Sequence, residues 1–197
     1  AVKMIVRYLK RTSNMGMFID PSTEPNLELT AYCDADFAGL YRRDPDDEVT
    51  SARSRTGFII KLGGLPLIWK SQLQSTVALS TLEAEYQALS DCCRSLLHIR
   101  GLLKEIIEGI GIPASVRATF RCRLFEDNNG ALQLATTQRL TSRTRYFHVK
   151  MHHFWEAAKR GYFETERCNT EDQQADYFTK GLCRDPYEKK RFFVQGW

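Results

Sequence analysis

What this chain lacks narrows its class first. No apolar run approaches the ~20 residues of a membrane-spanning helix, so no membrane partner is expected. The six cysteines form no C-x-x-C pair, which argues against a zinc site. Most of them fall in apolar periodic segments, where cysteine acts as a small hydrophobe, so a reduced, intracellular setting is expected. The opening A-V-K-M-I-V-R-Y-L carries scattered charge instead of a signal-peptide pattern. With no initiator Met and a helical pattern from the first residue, the chain reads as a piece of a longer polypeptide. There is no internal repeat, no low-complexity tract, and no Y-x-D-D pair of adjacent aspartates of the kind a polymerase site carries.

What is present suits one domain with a proper core, or one domain plus tails: 197 residues, 43% hydrophobic and 26% charged. The net charge is +4, with basic residues gathered at 3–11, 139–150 and 184–191. That balance permits a polyanionic partner without requiring one, since charge runs are more often solvated faces.

The stretch L-E-L-T-A-Y-C-D-A-D-F at 27–37 organises the rest. Leu27, Leu29, Ala31 and Cys33 alternate with Glu28, Thr30 and Tyr32, as a half-buried strand requires. Asp34 and Asp36 fall where the strand should end and share one face of it. Such a pair suits a divalent cation held between the carboxylates, and equally two solvated loop acids.

Before this strand, residues 1–11 read as a short amphipathic helix and 12–26 as a linker. After it, 41–55 reads as a loop, and T-G-F-I-I-K-L and L-P-L-I-W-K form a hairpin through Gly63-Gly64. A long helix starts at Ser80, with Thr81 as its cap and Leu79, Leu82, Tyr86, Leu89, Cys93, Leu96 and Leu97 as its buried stripe. A second helical piece stops at Gly111 and Pro113. A fourth strand spans 120–127, then come helices at 128–136 and 146–160, a last strand at 162–168 and a last helix at 170–182. Thr170 with Gln173 is the expected capping box of that helix. This order implies an α/β fold with a mixed sheet covered by helices.

Four acids take comparable places in the plan: Asp34 and Asp127 at strand ends, Glu85 and Asp176 in early helical turns. If the strands ending at Asp34 and Asp127 are neighbours, all four converge on one sheet edge. Convergent carboxylates suit Mg²⁺, and two such ions about 3.5–4 Å apart suit phosphodiester hydrolysis. Any one acid alone is more simply a strand-end or helix-dipole residue; the ordered set of four is the signal. Of the two glutamates in L-E-A-E-Y, helical residues advance by about 100° each, so Glu83 and Glu85 diverge by about 160°. Glu85 borders the apolar stripe and Glu83 points further toward solvent, which makes Glu85 the expected ligand and Glu83 a first-turn acid.

The chain resembles the RNase H domain of copia-type retrotransposon polyproteins, within the retroviral-type RNase H superfamily. The resemblance rests on Y-C-D-A-D-F-A-G at 32–39, S-R-T-G-F at 54–58, W-K-S-Q at 69–72, S-T-L-E-A-E-Y-Q-A-L at 80–89, E-D-N-N-G-A at 126–131, R-T-R-Y-F-H-V at 143–149 and T-E-D-Q-Q-A-D-Y-F-T-K at 170–180. It implies an RNase H-like fold: a mixed five-stranded sheet, three antiparallel strands then two more, flanked by helices. It divides the chain into 1–26, a helix and linker from the end of the reverse transcriptase region, 27–183, the RNase H-like domain, and 184–197, a basic C-terminal tail. It also implies hydrolysis of the RNA strand of RNA–DNA hybrids with two Mg²⁺ ions, with Mn²⁺ as the substitute. Asp34, Glu85, Asp127 and Asp176 match the family's catalytic, metal-binding acids. The reverse transcriptase portion of the same polyprotein is the implied partner, in a cytoplasmic retrotransposon particle or in the nucleus.

One departure stands out. Many RNases H carry a His in the loop before the last acid, and Asn169 to Ala175 contains none. His148 and His152 are spaced i, i+4 in a basic helix and suit packing or phosphate contact better than metal ligation. For substrate binding, Arg139, Arg143, Arg145 and Lys150 are candidates, with Ser71 and Gln72 after the third strand. Trp69, which could stack on a sugar, is expected in the core. The alternative function is a catalytically inactive, template-binding structural domain of a reverse transcriptase.

Overall fold

A computed structural model describes residues 2–17, 27–41, 49–118, 120–137 and 148–197. The strands are β1 (Glu28–Asp36), β2 (Arg55–Leu62), β3 (Leu65–Leu73), β4 (Arg121–Glu126) and β5 (Glu164–Arg167). The helices are α1 (Val2–Arg11), α2 (Thr81–Gly109), α3 (Ala114–Arg117), α4 (Asn129–Thr137), α5 (His148–Lys159), α6 (Asp176–Thr179) and α7 (Arg184–Gln195). The sheet order is β3-β2-β1-β4-β5, with the first three strands antiparallel and β4 and β5 parallel to β1. This is the mixed five-stranded sheet expected from the sequence. The hairpin turns through Gly63 and Gly64, whose φ values of 50° and 79° are positive at both central positions, as a primed turn demands.

Alternation assigns the sheet its two faces. Leu29, Ala31 and Cys33 of β1, Phe58 and Ile60 of β2, and Cys122 and Leu124 of β4 join one core with α2, α4 and α5. On the other face, Gly57 lies against Thr179 and Phe178 of α6, and Lys61 donates to the carbonyl of Phe193 in α7 at 2.9 Å. Tyr8 of α1 meets Tyr187 of α7 edge-on, and Tyr187 stacks on Tyr177 of α6. The indole of Trp197 donates to the Gly16 carbonyl. Both ends of the chain therefore pack beside α6. The segment expected as a basic tail contains α7, and its Lys190 is buried.

Several local expectations are corrected. α2 runs unbroken through Gly101, because its apolar side is held against the core along much of its length. Its cap is Ser80, not Thr81: the Ser80 hydroxyl accepts from the Glu83 amide at 3.1 Å, and the Glu83 carboxylate accepts from the Leu79 amide at 2.9 Å. Leu79 lies outside the helix and is 81% exposed, so it leaves the buried stripe. The last helix is not continuous. A 3₁₀ turn at Thr170–Asp172 precedes α6, and no capping box joins Thr170 to Gln173. Gln173 is instead fully buried and donates to the Cys33 carbonyl at 2.8 Å, so a partner on β1 outcompetes the local cap. Trp69 is 53% exposed because β3 is an edge strand, which overturns its placement in the core.

Candidate active site

The register of β1 against β4 ends at Tyr32–Phe125, so one further step sets Cys33 beside Glu126 and a second sets Asp34 level with Asp127. The thiol of Cys33 donates to Glu126 Oε2 at 3.3 Å. Glu85 reaches this edge from the first turns of α2, where its Oε2 accepts from the Ala35 amide at 2.8 Å. Asp176 opens α6 on the opposite face, and Lys180 just beyond that helix binds Asp176 Oδ1 at 2.5 Å and Asp34 Oδ1 at 3.2 Å. The Thr179 hydroxyl donates to Asp34 Oδ2. Lys190 binds the other oxygen of Asp176, Oδ2, at 3.0 Å. Asp34, Glu85, Asp127 and Asp176, singled out from the sequence, thus lie around one end of the β1–β4 pair.

Two glycines permit the arrangement. Gly57 pairs with Asp34 across β1 and β2. A Cβ there would fall 2.5 Å from Thr179 Cγ2, so its absence lets α6 approach the sheet beside Asp34. Gly39 likewise leaves its Cβ space to the Asp36 carboxylate. Asp36 packs locally in that way, and the pair of strand-end acids divides into one site residue and one turn residue.

The sequence reading missed Glu126. It is fully buried, in phase with Cys122 and Leu124, and accepts from the Asn128 amide at 3.1 Å as well as from Cys33. Its phase in the alternating strand was the available signal: a glutamate in step with buried residues belongs to the inner face. Asn128 caps α4, its Oδ1 accepting from the amides of Gly130 and Ala131.

Crowding and burial mark the cluster electrostatically. Burial pushes the Glu85 carboxyl up to about 10, with Glu126, Asp34 and Asp127 adding repulsion. Burial likewise raises Glu126 to about 8, against the opposing pull of its two hydrogen bonds. Asp34 rises to about 6 through burial, held back by Lys180 and Thr179. Burial works against the charge of Lys180, but Asp34 and Asp176 outweigh it and raise its pKa.

The donors are hard oxygens, the chemistry Mg²⁺ prefers. Among the described residues, no three acidic, imidazole or thiol groups form a ready metal cage. An ammonium already bridges Asp34 and Asp176, so a cation fits between these two acids.

The other candidates divide. Ser71 and Gln72 are exposed, but the Ser71 hydroxyl donates to the Phe178 carbonyl at 2.6 Å and ties β3 to α6. Arg139, Arg143 and Arg145 lie outside the described residues, as do the side chains of Lys150 and His148. His152 packs edge-on against Trp155 at 5.5 Å.

No family model matches the chain. The fold is shared with LC11-RNase H1 isolated from compost, at 14% identity and a TM-score of 0.51, over 78% of this chain and 93% of that one. The fold is therefore RNase H-like. The retrovirus-related Pol polyproteins from transposons RE1 and RE2 of Arabidopsis thaliana are 33% and 34% identical over 95% of the chain. The chain is homologous to a segment of copia-type retrotransposon Pol polyproteins and spans 12% of the length of these relatives.

Proposed function

We propose that this domain is a metal-dependent ribonuclease H, cutting the RNA strand of RNA–DNA hybrids as part of a retrotransposon reverse transcriptase polyprotein. The observation that carries the reading is the set of acids gathered at one end of the β1–β4 pair, Asp34, Glu85, Glu126 and Asp176 buried and Asp127 half-buried, in the fold of an RNase H. Crowding like charges in a low-dielectric edge costs stability, and such arrangements concentrate at functional sites. A template-binding domain without chemistry has no use for them.

Asp34, Glu85, Asp127 and Asp176 are the residues that would hold Mg²⁺ or Mn²⁺. Divalent ions bound there supply charge neutralisation and an activated water for phosphodiester hydrolysis. The chain's own contribution is placement. β1 carries Asp34, the residue after β4 is Asp127 level with it, the Ala35 amide orients Glu85, and Lys190 fixes one oxygen of Asp176. Glu126, buried behind the edge, is held by Cys33 and Asn128 and faces inward. The cytoplasmic particle and the reverse transcriptase portion remain the proposed setting and partner.

The test is incubation with a labelled RNA–DNA hybrid, with Mg²⁺ or with excess chelator. Cleavage of the RNA strand with Mg²⁺ alone, and little cutting of duplex DNA or single-stranded RNA, is expected. Asp127→Asn should abolish cleavage while keeping the fold. Binding of the hybrid without any cleavage would favour the inactive template-binding domain instead.

A further inference from the structure

Two lysines hold Asp176, and they differ in kind. Lys190 is 6% exposed and belongs to α7. Besides Asp176 Oδ2, it donates to the carbonyls of Gln173 at 2.7 Å, Thr170 at 3.2 Å and Glu171 at 3.4 Å. An ammonium with so many protein acceptors cannot leave without dismantling that corner of the fold. Lys180 is 37% exposed, and among the described residues its ammonium meets two carboxylate oxygens, Asp176 Oδ1 and Asp34 Oδ1.

The two acids share one pattern. Each has one oxygen held by a neighbour: Thr179 on Asp34 Oδ2, Lys190 on Asp176 Oδ2. Each offers its Oδ1 to a single cation between them. That cation is a flexible, strongly hydrated ammonium with solvent on one side, so it can exchange where Lys190 cannot.

Resting on the reading of these acids as metal ligands, we infer that Lys180 is a tethered cation that competes with the divalent ion. It neutralises Asp34 and Asp176 in the metal-free protein and must swing out for loading. It thereby sets the metal affinity of the site and protects the crowded carboxylates when no ion is bound. Lys180 is in this sense a positioning residue, acting on metal occupancy and not on the reacting atoms.

The test is titration of the full chain with Mg²⁺ and with Mn²⁺ at constant pH, by calorimetry and by Mn²⁺ spin resonance. Lys180→Met should bind on the order of tenfold more tightly than wild type, the change that losing one competing charge-assisted hydrogen bond corresponds to. Lys180→Arg, which keeps the charge, should bind no more tightly than wild type. Equal or weaker binding by Lys180→Met would overturn the competition while leaving the metal site standing. Failure of every form to bind would overturn both. A second measurement needs no variant: amine-reactive labelling of Lys180, read by mass spectrometry, should speed up when Mg²⁺ is added to wild type. Labelling that is unchanged under saturating, calorimetrically verified Mg²⁺ would also overturn the inference.

Discussion

The backbone amide of Ala35 donates to Glu85 Oε2 at 2.8 Å, so the residue following Asp34 orients the carboxylate that α2 brings to the sheet. Glu83, two residues earlier on the same helix, is occupied by the cap at Ser80 and Leu79. Glu85→Gln should therefore abolish Mg²⁺-dependent cleavage of a hybrid. Glu83→Gln should keep most of it and cost the fold a few tenths of a kcal/mol to about 1. Cleavage assays beside chemical denaturation separate the two, and the reverse outcome would exclude Glu85 as a ligand.

Gly57→Ala tests the approach of α6 to the sheet. The added methyl would fall 2.5 Å from Thr179 Cγ2, 3.0 Å from Phe178 Cβ and 3.1 Å from the Ala175 carbonyl oxygen. These atoms all belong to the segment that carries Asp176. Overpacking of this kind costs about 1–3 kcal/mol, and here it should also weaken cleavage by separating Asp176 from Asp34. A variant with unchanged denaturation midpoint and activity would show that the segment moves freely.

The pH dependence of the metal-free protein follows from the raised carboxyls. Glu85 at about 10, Glu126 at about 8 and Asp34 at about 6 all lie above their ordinary values. Between about pH 4.5 and 8 the folded form then holds protons that the unfolded chain has released, so stability falls as pH rises through that window. In chelator, Tm should be higher at pH 5.5 than at pH 8. Glu126→Gln should flatten the dependence, because its side chain no longer titrates. A Tm that climbs toward pH 8 would contradict the assignment.

Hybrid binding should be largely electrostatic, given the basic residues gathered at 139–150. Affinity should fall by roughly 0.9 log units per log unit of salt for each phosphate neutralised, if the hybrid behaves as B-DNA does. Replacing Arg143 and Arg145 by Ala should flatten that slope. Filter binding over a salt series measures it, and an unchanged slope would move the contact surface elsewhere.

Local pattern carried much of this protein. Alternation from Leu27 to Cys33 placed β1 and its inner face, and the turn glycines placed the hairpin. The periodicity of α2 distinguished Glu85 from Glu83, because a period of 2 or 3.6 is written in neighbouring residues. The same logic, applied to 121–126, held the clue to Glu126, whose burial becomes evident once α2 covers that face.

What the tertiary structure decided is who answers those acids. Asp34 and Lys180 are 146 residues apart, and Cys33 and Gln173 are 140 apart. No spacing rule joins them. The choice of Gln173 for a β1 carbonyl over a local cap, and the placing of Lys190 beneath Asp176, came from the packing of α6 and α7 on the second face of the sheet. A buried polar group takes whichever partner the closed fold brings within reach, because leaving it unpaired away from water costs more than forgoing an exposed contact.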